Sequence, residues 1–432
     1  MARIVITTFG SSGDLNPLVA IALGLRVRGH TVTFVVDASL LAPVQSFGFA
    51  TYTLPGDLNT VYAKHTKAFF GGTFPARLIH YFMRELVLPT IHEQIALLRT
   101  ACAEADLFIA STLQFPASIV ADLIAIPFIH VAFNAGTVAS SAYTPLPLMA
   151  PPGPLRQPFN RLMWDMGKPI FRAILDRPLN AVRKTYGLPP RYDVMYGHNQ
   201  RADALAVLIS SAFVPRPDDW PSNVSETGFC FWDAADNWQA SDELTALLDG
   251  TRPVVAMSLG SMAHATNGIF APYYRTGLAA IHQAGARALL IGVDRATLPD
   301  PLPPATLCLP YAPFSQIYPH CAAIIHHGGI GTLAQALRAG VPSLIVPWGA
   351  DQFFDGAQVE RLGVGKSLAQ RRFTTARATS ALTELLTDDR YRHRAQAIAA
   401  QIATEDGVAT FCATAERVLG QSGADDRNGE TI

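Results

Sequence analysis

Two Rossmann-like, doubly wound α/β domains are the fold class that this sequence predicts, and three observations predict it. A chain of 432 residues exceeds the size at which one hydrophobic core stops growing, so two domains of roughly 200 residues each follow. The opening segment RIVITTFGSSGDLNPLVAIALGLRVRGHTVTFVVD reads as strand, Gly/Ser turn, helix and strand, the βαβ unit of a parallel sheet. Past Gly250 the same grammar restarts at PVVAMSLGSM, a buried strand running into a second Gly/Ser turn.

The elements follow in order. The first helix is closed by Gly29, and the second strand ends at Asp37. ADLFIAS and IPFIHVAF are buried strands separated by a short apolar helix around Pro116 to Ile124. Between Asn134 and Pro158 the chain turns Pro-rich and irregular (YTPLPLMAPPGPLRQP), then helical, carrying Phe159, Leu162, Met163, Trp164, Phe171 and Leu175. That stretch is either a binding loop or a surface excursion packed on the sheet edge. ALAVLISSAFVPRP leads the first domain, 1–225, into a polar connection at 226–250. ARALLIGV, AAIIHH and PSLIVPW then supply strands, each followed by a turn or helix signal, so the second domain, 251–405, is doubly wound as well. A last helical pattern, about Arg390 to Gly420, includes a terminal helix at 406–421. SGADDRNGETI at 422–432 has too little apolar content to pack and is expected to be disordered.

Composition removes several function classes. The 33 basic and 34 acidic residues leave a net charge of -1, which gives no electrostatic grip on nucleic acid or an anionic membrane. Cys102, Cys230, Cys308, Cys321 and Cys412 are odd in number, widely spaced and free of any Cys-x-x-Cys pair. Neither a disulfide framework nor a zinc site is expected, and a reducing cytoplasm fits. The apolar run Ile4 to Phe9 is too brief for a signal-peptide core, and no stretch approaches the ~20 apolar residues of a membrane span.

Open α/β sheets bind ligands beyond the carboxyl ends of their strands, so the loop after the first strand of each half comes first. GSSGD, Gly10 to Asp14, lets backbone approach a ligand closely; SLGSM, Ser258 to Met262, presents amides and hydroxyls to a phosphate. Either is equally read as a plain turn. A dinucleotide fingerprint needs three glycines where this chain has Gly10 and Gly13, with Ser12 and Leu15 at the other places, and only Asp37 favours it. The strongest signal is HHGGIGTLAQALRAGVPSLIVPWGADQFFDGAQVERLGVG, His326 to Gly365. There a strand ends in two histidines and turns through glycines into a helix. Amides of Gly328, Gly329, Ile330, Gly331 and Thr332 would meet a diphosphate at the positive helix end, with one imidazole and the Thr332 hydroxyl adding hydrogen bonds. Adjacent histidines in extended chain point to opposite sides, so one faces the phosphate and no metal pair is expected. Asp351 and Gln352 stand at the next loop edge, placed either to grip sugar hydroxyls or to cap a helix.

At these residues the sequence resembles the nucleotide-sugar glycosyltransferases that include bacterial antibiotic and rhamnolipid enzymes, sterol glucosyltransferases, and plant and animal UDP-glycosyltransferases. FGSSGDLNPLVAIALGLRVRGH, the block YAPFSQIYPHCAAIIHHGGIGT and PWGADQ carry the likeness, which spans nearly the whole chain. It implies the GT-B fold, with two domains facing a central cleft, donor held by the C-terminal half, acceptor by the N-terminal half, inversion at the anomeric carbon, and a final helix that returns to the first domain. It further implies diphosphate binding at His327 or His326 with Gly328, Gly329, Gly331 and Thr332, an approaching loop at Ser258, Gly260 and Ser261, and sugar binding at Asp351 and Gln352. The base-binding turn matches Tyr311, Ala312, Pro313 and Phe314. Phe314 replaces a Gln of plant members, so stacking and backbone contacts are left to recognise the base.

Many members place a catalytic His in the first loop; here Asp14 stands at that place, as in sterol and antibiotic-type relatives. It is the candidate base, with partial burial raising its pKa toward the useful range, and capping the following helix is its other reading. The supporting Asp of the plant-type dyad has no counterpart, Ser111 or Thr112 falling near its place. Ser12, Gly13, Phe133 and Tyr143 are the acceptor-side candidates. The expected activity is an inverting O-glycosyltransferase using a UDP- or dTDP-sugar and a lipophilic hydroxyl acceptor, with neither metal nor cofactor. A nucleotide-sugar epimerase and a catalytically silent transferase partner are the alternatives, and an NAD-dependent oxidoreductase the distant one.

Overall fold

A computed structural model describes residues 1–65, 75–144, 151, 153–195, 202–233, 235, 238–261, 269–349 and 351–429. Most of the Pro-rich stretch at 145–152, and Met262 and Ala350 of the two loop motifs, lie outside the described residues. The chain divides into one unit of Met1–Val61, Phe74–Phe231 and Asp406–Ile432, and another of Tyr62–Thr73 and Trp232–Glu405. The division therefore falls at Phe231/Trp232, inside the stretch read as a connection.

In the first unit, strands β1 (Arg3–Thr8), β2 (Thr31–Val36), β3 (Ala50–Thr53), β4 (Leu107–Ser111), β5 (Phe128–Ala132), β6 (Ala204–Val207) and β7 (Val224–Glu226) form one sheet in the order β3-β2-β1-β4-β5-β6-β7. Every pairing is parallel. The central strands β4, β5 and β6 are buried along their whole length, as parallel strands covered on both faces must be. The helix Ser12–Val27 packs against the terminal helix Gly407–Gly429. A Cβ on Gly24 would stand 2.5 Å from Val408 Cγ1 and 3.1 Å from Cys412 Sγ, so the missing side chain sets the closeness of that contact.

In the second unit, β8 (Val254–Ser258), β9 (Arg287–Ile291), β10 (Thr306–Leu309), β11 (Ala323–His326), β12 (Ser343–Ile345) and β13 (Gly365–Ser367) form a parallel sheet in the order β10-β9-β8-β11-β12-β13. Alternate residues feed two cores. Val255, Met257, Leu290 and Ile325 meet Tyr273, Tyr274 and Trp348 on one face, while Val254, Ala256, Leu289 and Ile324 meet Leu244 and Tyr318 on the other. At the edge, a Cβ on Gly365 would sit 2.1 Å from the Ser343 carbonyl oxygen. Gly365→Ala is expected to cost about 1–3 kcal/mol by overpacking, measured as a lower urea midpoint at unchanged slope; a wild-type midpoint would show that β12 and β13 part freely.

One expectation differs from the structure and two are made more specific by it. The pattern at Arg390 to Gly420 is two helices, Asp389–Ile402 and Gly407–Gly429. The terminal helix also continues through the segment expected to be disordered, because extending a formed helix costs far less than starting one; residues 430–432 lie outside the described residues. The apolar helix after the Pro-rich stretch divides its side chains. Trp164, Phe171 and Leu175 are core, whereas Leu162 is 54% exposed.

Candidate active site

In the first sheet the strand order reverses between β1 and β4, the switch point where ligands of open α/β sheets collect. The two strand ends are joined there by Thr8 Oγ1 and Ser111 Oγ, 2.8 Å apart. Gly10 leaves β1 at a φ of 145°, and Ser11 caps the helix Ser12–Val27, its Oγ accepting from the Gly13 amide at 3.2 Å. Asp14 completes a capping box. Its Oδ2 accepts from the Ser11 amide at 2.7 Å and from the Ser11 hydroxyl at 3.2 Å, so both bonds from Ser11 fall on one carboxyl oxygen. Part of the side chain meets the surface, yet the surrounding protein is dense enough that burial pushes the carboxyl above the ordinary carboxylate range, with the Ser11 bonds opposing. The cap and the perturbed acid are the same residue.

Gly10 makes this placement possible. A Cβ there would lie 2.1 Å from Asp14 Oδ2 and 2.9 Å from Asp14 Cβ. Gly10→Ala is therefore expected to displace the carboxyl and lower turnover on the order of 10²-fold, the cost of a misplacement near 1 Å, with the circular dichroism spectrum unchanged. Retention of wild-type turnover would show that this rotamer is not the working one.

Among the described residues no second carboxylate bonds Asp14; Ser111 is engaged with Thr8, and Thr112 Oγ1 donates to the Val131 carbonyl at 3.0 Å. Ser12 is exposed, Gly13 half-buried, and Phe133 half-buried just past β5. Tyr143 is buried, its hydroxyl donating to the Pro215 carbonyl and its own carbonyl accepting from Trp164 Nε1 at 2.9 Å. Tyr143 thereby ties the helix Arg156–Phe171 to the chain beneath. Asp37, the one feature favouring a dinucleotide, caps the helix Ala38–Gln45 by accepting from the Ser39 amide at 2.9 Å.

In the second sheet the order reverses between β8 and β11, whose last residues Ser258 and His326 are register partners. The two loops read from the sequence thus leave neighbouring strand ends. Ser258 Oγ accepts from the Gly260 amide at 3.0 Å, and the Leu259 amide donates to Tyr274 Oη at 3.2 Å. Gly260, at a φ of 55°, lies close to the facing loop: a Cβ would be 2.9 Å from Thr332 Oγ1 and 3.4 Å from His327 Cε1. Ser261 follows, half-buried.

The two histidines diverge, with ring planes at 86°. His326 Nδ1 accepts from the Gly328 amide at 3.1 Å, so this ring braces the turn from inside. His327 lies over Gly329, where a Cβ would come within 2.2 Å of its Nε2. Burial, with the neighbouring His327 adding, lowers His326 to about 3, and burial lowers His327 to about 4. Both are neutral near pH 7 and act as hydrogen-bonding groups, not cations. Gly328, at a φ of 93°, packs against Ile345 and the start of the helix Gln352–Leu362. Gly329 is the N-cap of the helix Ile330–Arg338 and supplies no side-chain cap. The amides of Ile330, Gly331 and Thr332 therefore open the helix without one, the condition for receiving an anion.

Asp351 is the N-cap of the helix Gln352–Leu362 without a side-chain cap bond. Gln352 Oε1 accepts from the Trp348 amide at 2.8 Å and the Gly349 amide at 3.3 Å, holding the turn that carries Asp351. In the block that the sequence assigns to the base as an expectation, Tyr311 is 52% exposed and Ala312 is buried. Pro313 caps the short helix Phe314–Ile317, which packs on the helix Ile330–Arg338. Phe314 stacks on Tyr318 at 4.4 Å, so that ring face is used within the chain. Among the described residues no group of three His, Cys, Asp or Glu is arranged to hold a metal, and no helix is long and apolar enough to cross a membrane. Sequence reading missed Ser11, Gly10 and Tyr274 as positioning groups. The Ser-x-x-Asp spacing was a visible sign of the first; Tyr274 acts across 15 residues and left no local sign.

The chain is similar in sequence and fold to known proteins. Residues 4–142 match the glycosyltransferase family 28 N-terminal domain, and residues 288–412 the erythromycin biosynthesis protein CIII-like C-terminal domain. The chain is 28% identical over 96% of its length to the O-mycaminosyltylonolide 6-deoxyallosyltransferase of Streptomyces fradiae, covering 97% of that protein. It is 27% identical over 94% of its length to a sterol 3-beta-glucosyltransferase of Neosartorya fischeri, of which it spans only 29%. Among solved structures, the glycosyltransferase of kitacinnamycin superposes with a TM-score of 0.72 at 21% identity, covering 97% of this chain and 99% of that one. The glycosyltransferase VinC, solved with dTDP, superposes with a TM-score of 0.68 at 19% identity, covering 97% of this chain and 100% of that one. With both sheets wound in this manner and both halves matched by transferase models, the chain is a GT-B-fold glycosyltransferase and belongs to the UDP-glycosyltransferase superfamily.

Proposed function

We propose that the enzyme transfers a sugar from a UDP- or dTDP-sugar to a hydroxyl of a lipophilic small molecule, with inversion and without a metal. The acceptor oxygen attacks the anomeric carbon while its proton passes to Asp14. The bond from that carbon to the diphosphate breaks, and the nucleoside diphosphate leaves carrying the electron pair. A carboxyl held through Oδ2 by Ser11 and raised by burial is suited to accept that proton on its other oxygen. Developing charge on the leaving phosphate is met by the uncapped amides of Ile330, Gly331 and Thr332 and by the neutral His327 imidazole, fixed dipoles that need no rearrangement. The observation that carries the reading is this uncapped helix start at the switch point, faced by Gly260. Asp351 and Gln352 fit the sugar hydroxyls, and Tyr311 through Phe314 the base.

The lipophilic acceptor rests on two named relatives, a transferase for a tylonolide and one for sterols, and on the acceptor-side residues Ser12, Gly13, Phe133 and Tyr143. Five free cysteines, four of them buried, are consistent with a cytoplasmic site of action. The test is product analysis by mass spectrometry in EDTA, using UDP- and dTDP-sugars with macrolide, sterol and phenolic acceptors. A new glycoside of inverted anomeric configuration is expected. Donor conversion to another nucleotide sugar with no glycoside, or a requirement for a divalent ion, would overturn it.

A further inference from the structure

Along the edge strand β13 of the second unit lies a cleft of about 650 Å³, walled by the helices Thr375–Thr387 and Asp389–Ile402. None of the residues assigned above to donor or acceptor lines it. Its basic residues outnumber its acidic ones, and the acidic ones are already engaged. Asp388 pairs with Arg390 at 2.7 Å, and Glu360 accepts from the Ser367 amide at 3.0 Å. Lys366 pairs with Glu384. Arg372, Arg377 and Arg394 remain, and among the described residues they enter no salt bridge. Arg394 is exposed but lies against the turn: its Nη1 occupies the space over Gly363, 2.1 Å from where a Cβ would be, at a φ of 67°. Ser380 adds a hydroxyl to the same wall.

Gathering five cationic side chains around one concavity against only the carboxylates of Glu360 and Asp388 is unfavourable, and an anion relieves it. The planar fork of arginine matches phosphate oxygens in pairs, and the volume is that of a small-molecule site. We propose that this cleft binds a small phosphorylated anion carrying two or more negative charges, independently of the nucleotide sugar.

The test uses inorganic pyrophosphate and the full chain, by calorimetry in 0.15 M salt, in an excess of UDP. One saturable site is expected, weakened at least tenfold in the double variant Arg372→Gln/Arg377→Gln and retained in His327→Ala. Arg372 and Arg377 are exposed, so the double variant keeps its fold, which an unchanged melting temperature verifies; Arg394→Gln gives an independent second variant. No binding in the presence of UDP, equal binding by both arginine variants, or loss in His327→Ala instead would each overturn the proposal. Because the readout is pyrophosphate and not turnover, failure here leaves the transferase reading standing.

Discussion

Asp14→Asn is expected to lower kcat by about 10²–10⁴-fold, the usual contribution of a positioned base, with donor affinity unchanged. The amide is nearly the same shape as the carboxyl and can still accept from Ser11, so the capping box and the helix Ser12–Val27 survive while the proton acceptor is gone. Calorimetric titration with UDP beside steady-state turnover separates the two effects. The wild-type pH profile gives a second reading. Burial holds the carboxyl above its ordinary value, and the base must be ionised to act, so the rate should fall as pH drops through a point above the ordinary value of about 3.9. An asparagine variant with near-wild-type kcat would remove Asp14 from the chemistry and leave it as a cap.

His327→Ala should cost about 10²–10³-fold in kcat/KM, the range for losing one preorganised donor to a developing negative charge. His327→Gln, which restores an amide donor, should recover part of it. The sign of the pH dependence tests the neutral state. With its pKa lowered to about 4 by burial, the imidazole should contribute no titration between pH 5 and 8; a limb near 6.5 that disappears in His327→Ala would show that it works as a cation instead. Stability follows the same sign. A histidine lowered in the folded state is charged first in the unfolded chain, so its contribution is complete above about 6.5. It is lost as pH falls from there toward 4. His130, buried in β5 and likewise lowered to about 4, adds to this acid sensitivity in the first unit.

What could be read in the sequence was the set of strands buried on both faces. LFIAS, FIHVA and VVAMS are continuous apolar runs, and burial on both sides leaves such a run no other fate. The sheet edges were not legible. Ala50–Thr53 is mostly exposed, and Gly365–Ser367 has three residues of which one is buried, so neither writes a pattern. The glycine turns were legible because they follow those strands directly. Which of two adjacent histidines braces the turn from within was not, since alternation assigns opposite sides without saying which side is inside. Nor was the engagement of Ser111 with Thr8, a contact between residues 103 apart.

The helix Gly407–Gly429 belongs to the unit that begins at Met1, and it covers the helix Ser12–Val27 at Gly24. That arrangement fixes an order of events during synthesis. The surface around Gly24, with Ile21 and Leu25 fully buried in the finished chain, is made first, whereas its cover is made only after the whole second unit has been synthesised. At roughly 5–20 residues per second, the early helix waits on the order of 20–80 seconds for its partner. The second unit, Trp232–Glu405, is complete before then, so the half that starts first finishes last. Every early termination of translation short of Asp406 would yield a chain whose leading half stays uncovered and open to degradation.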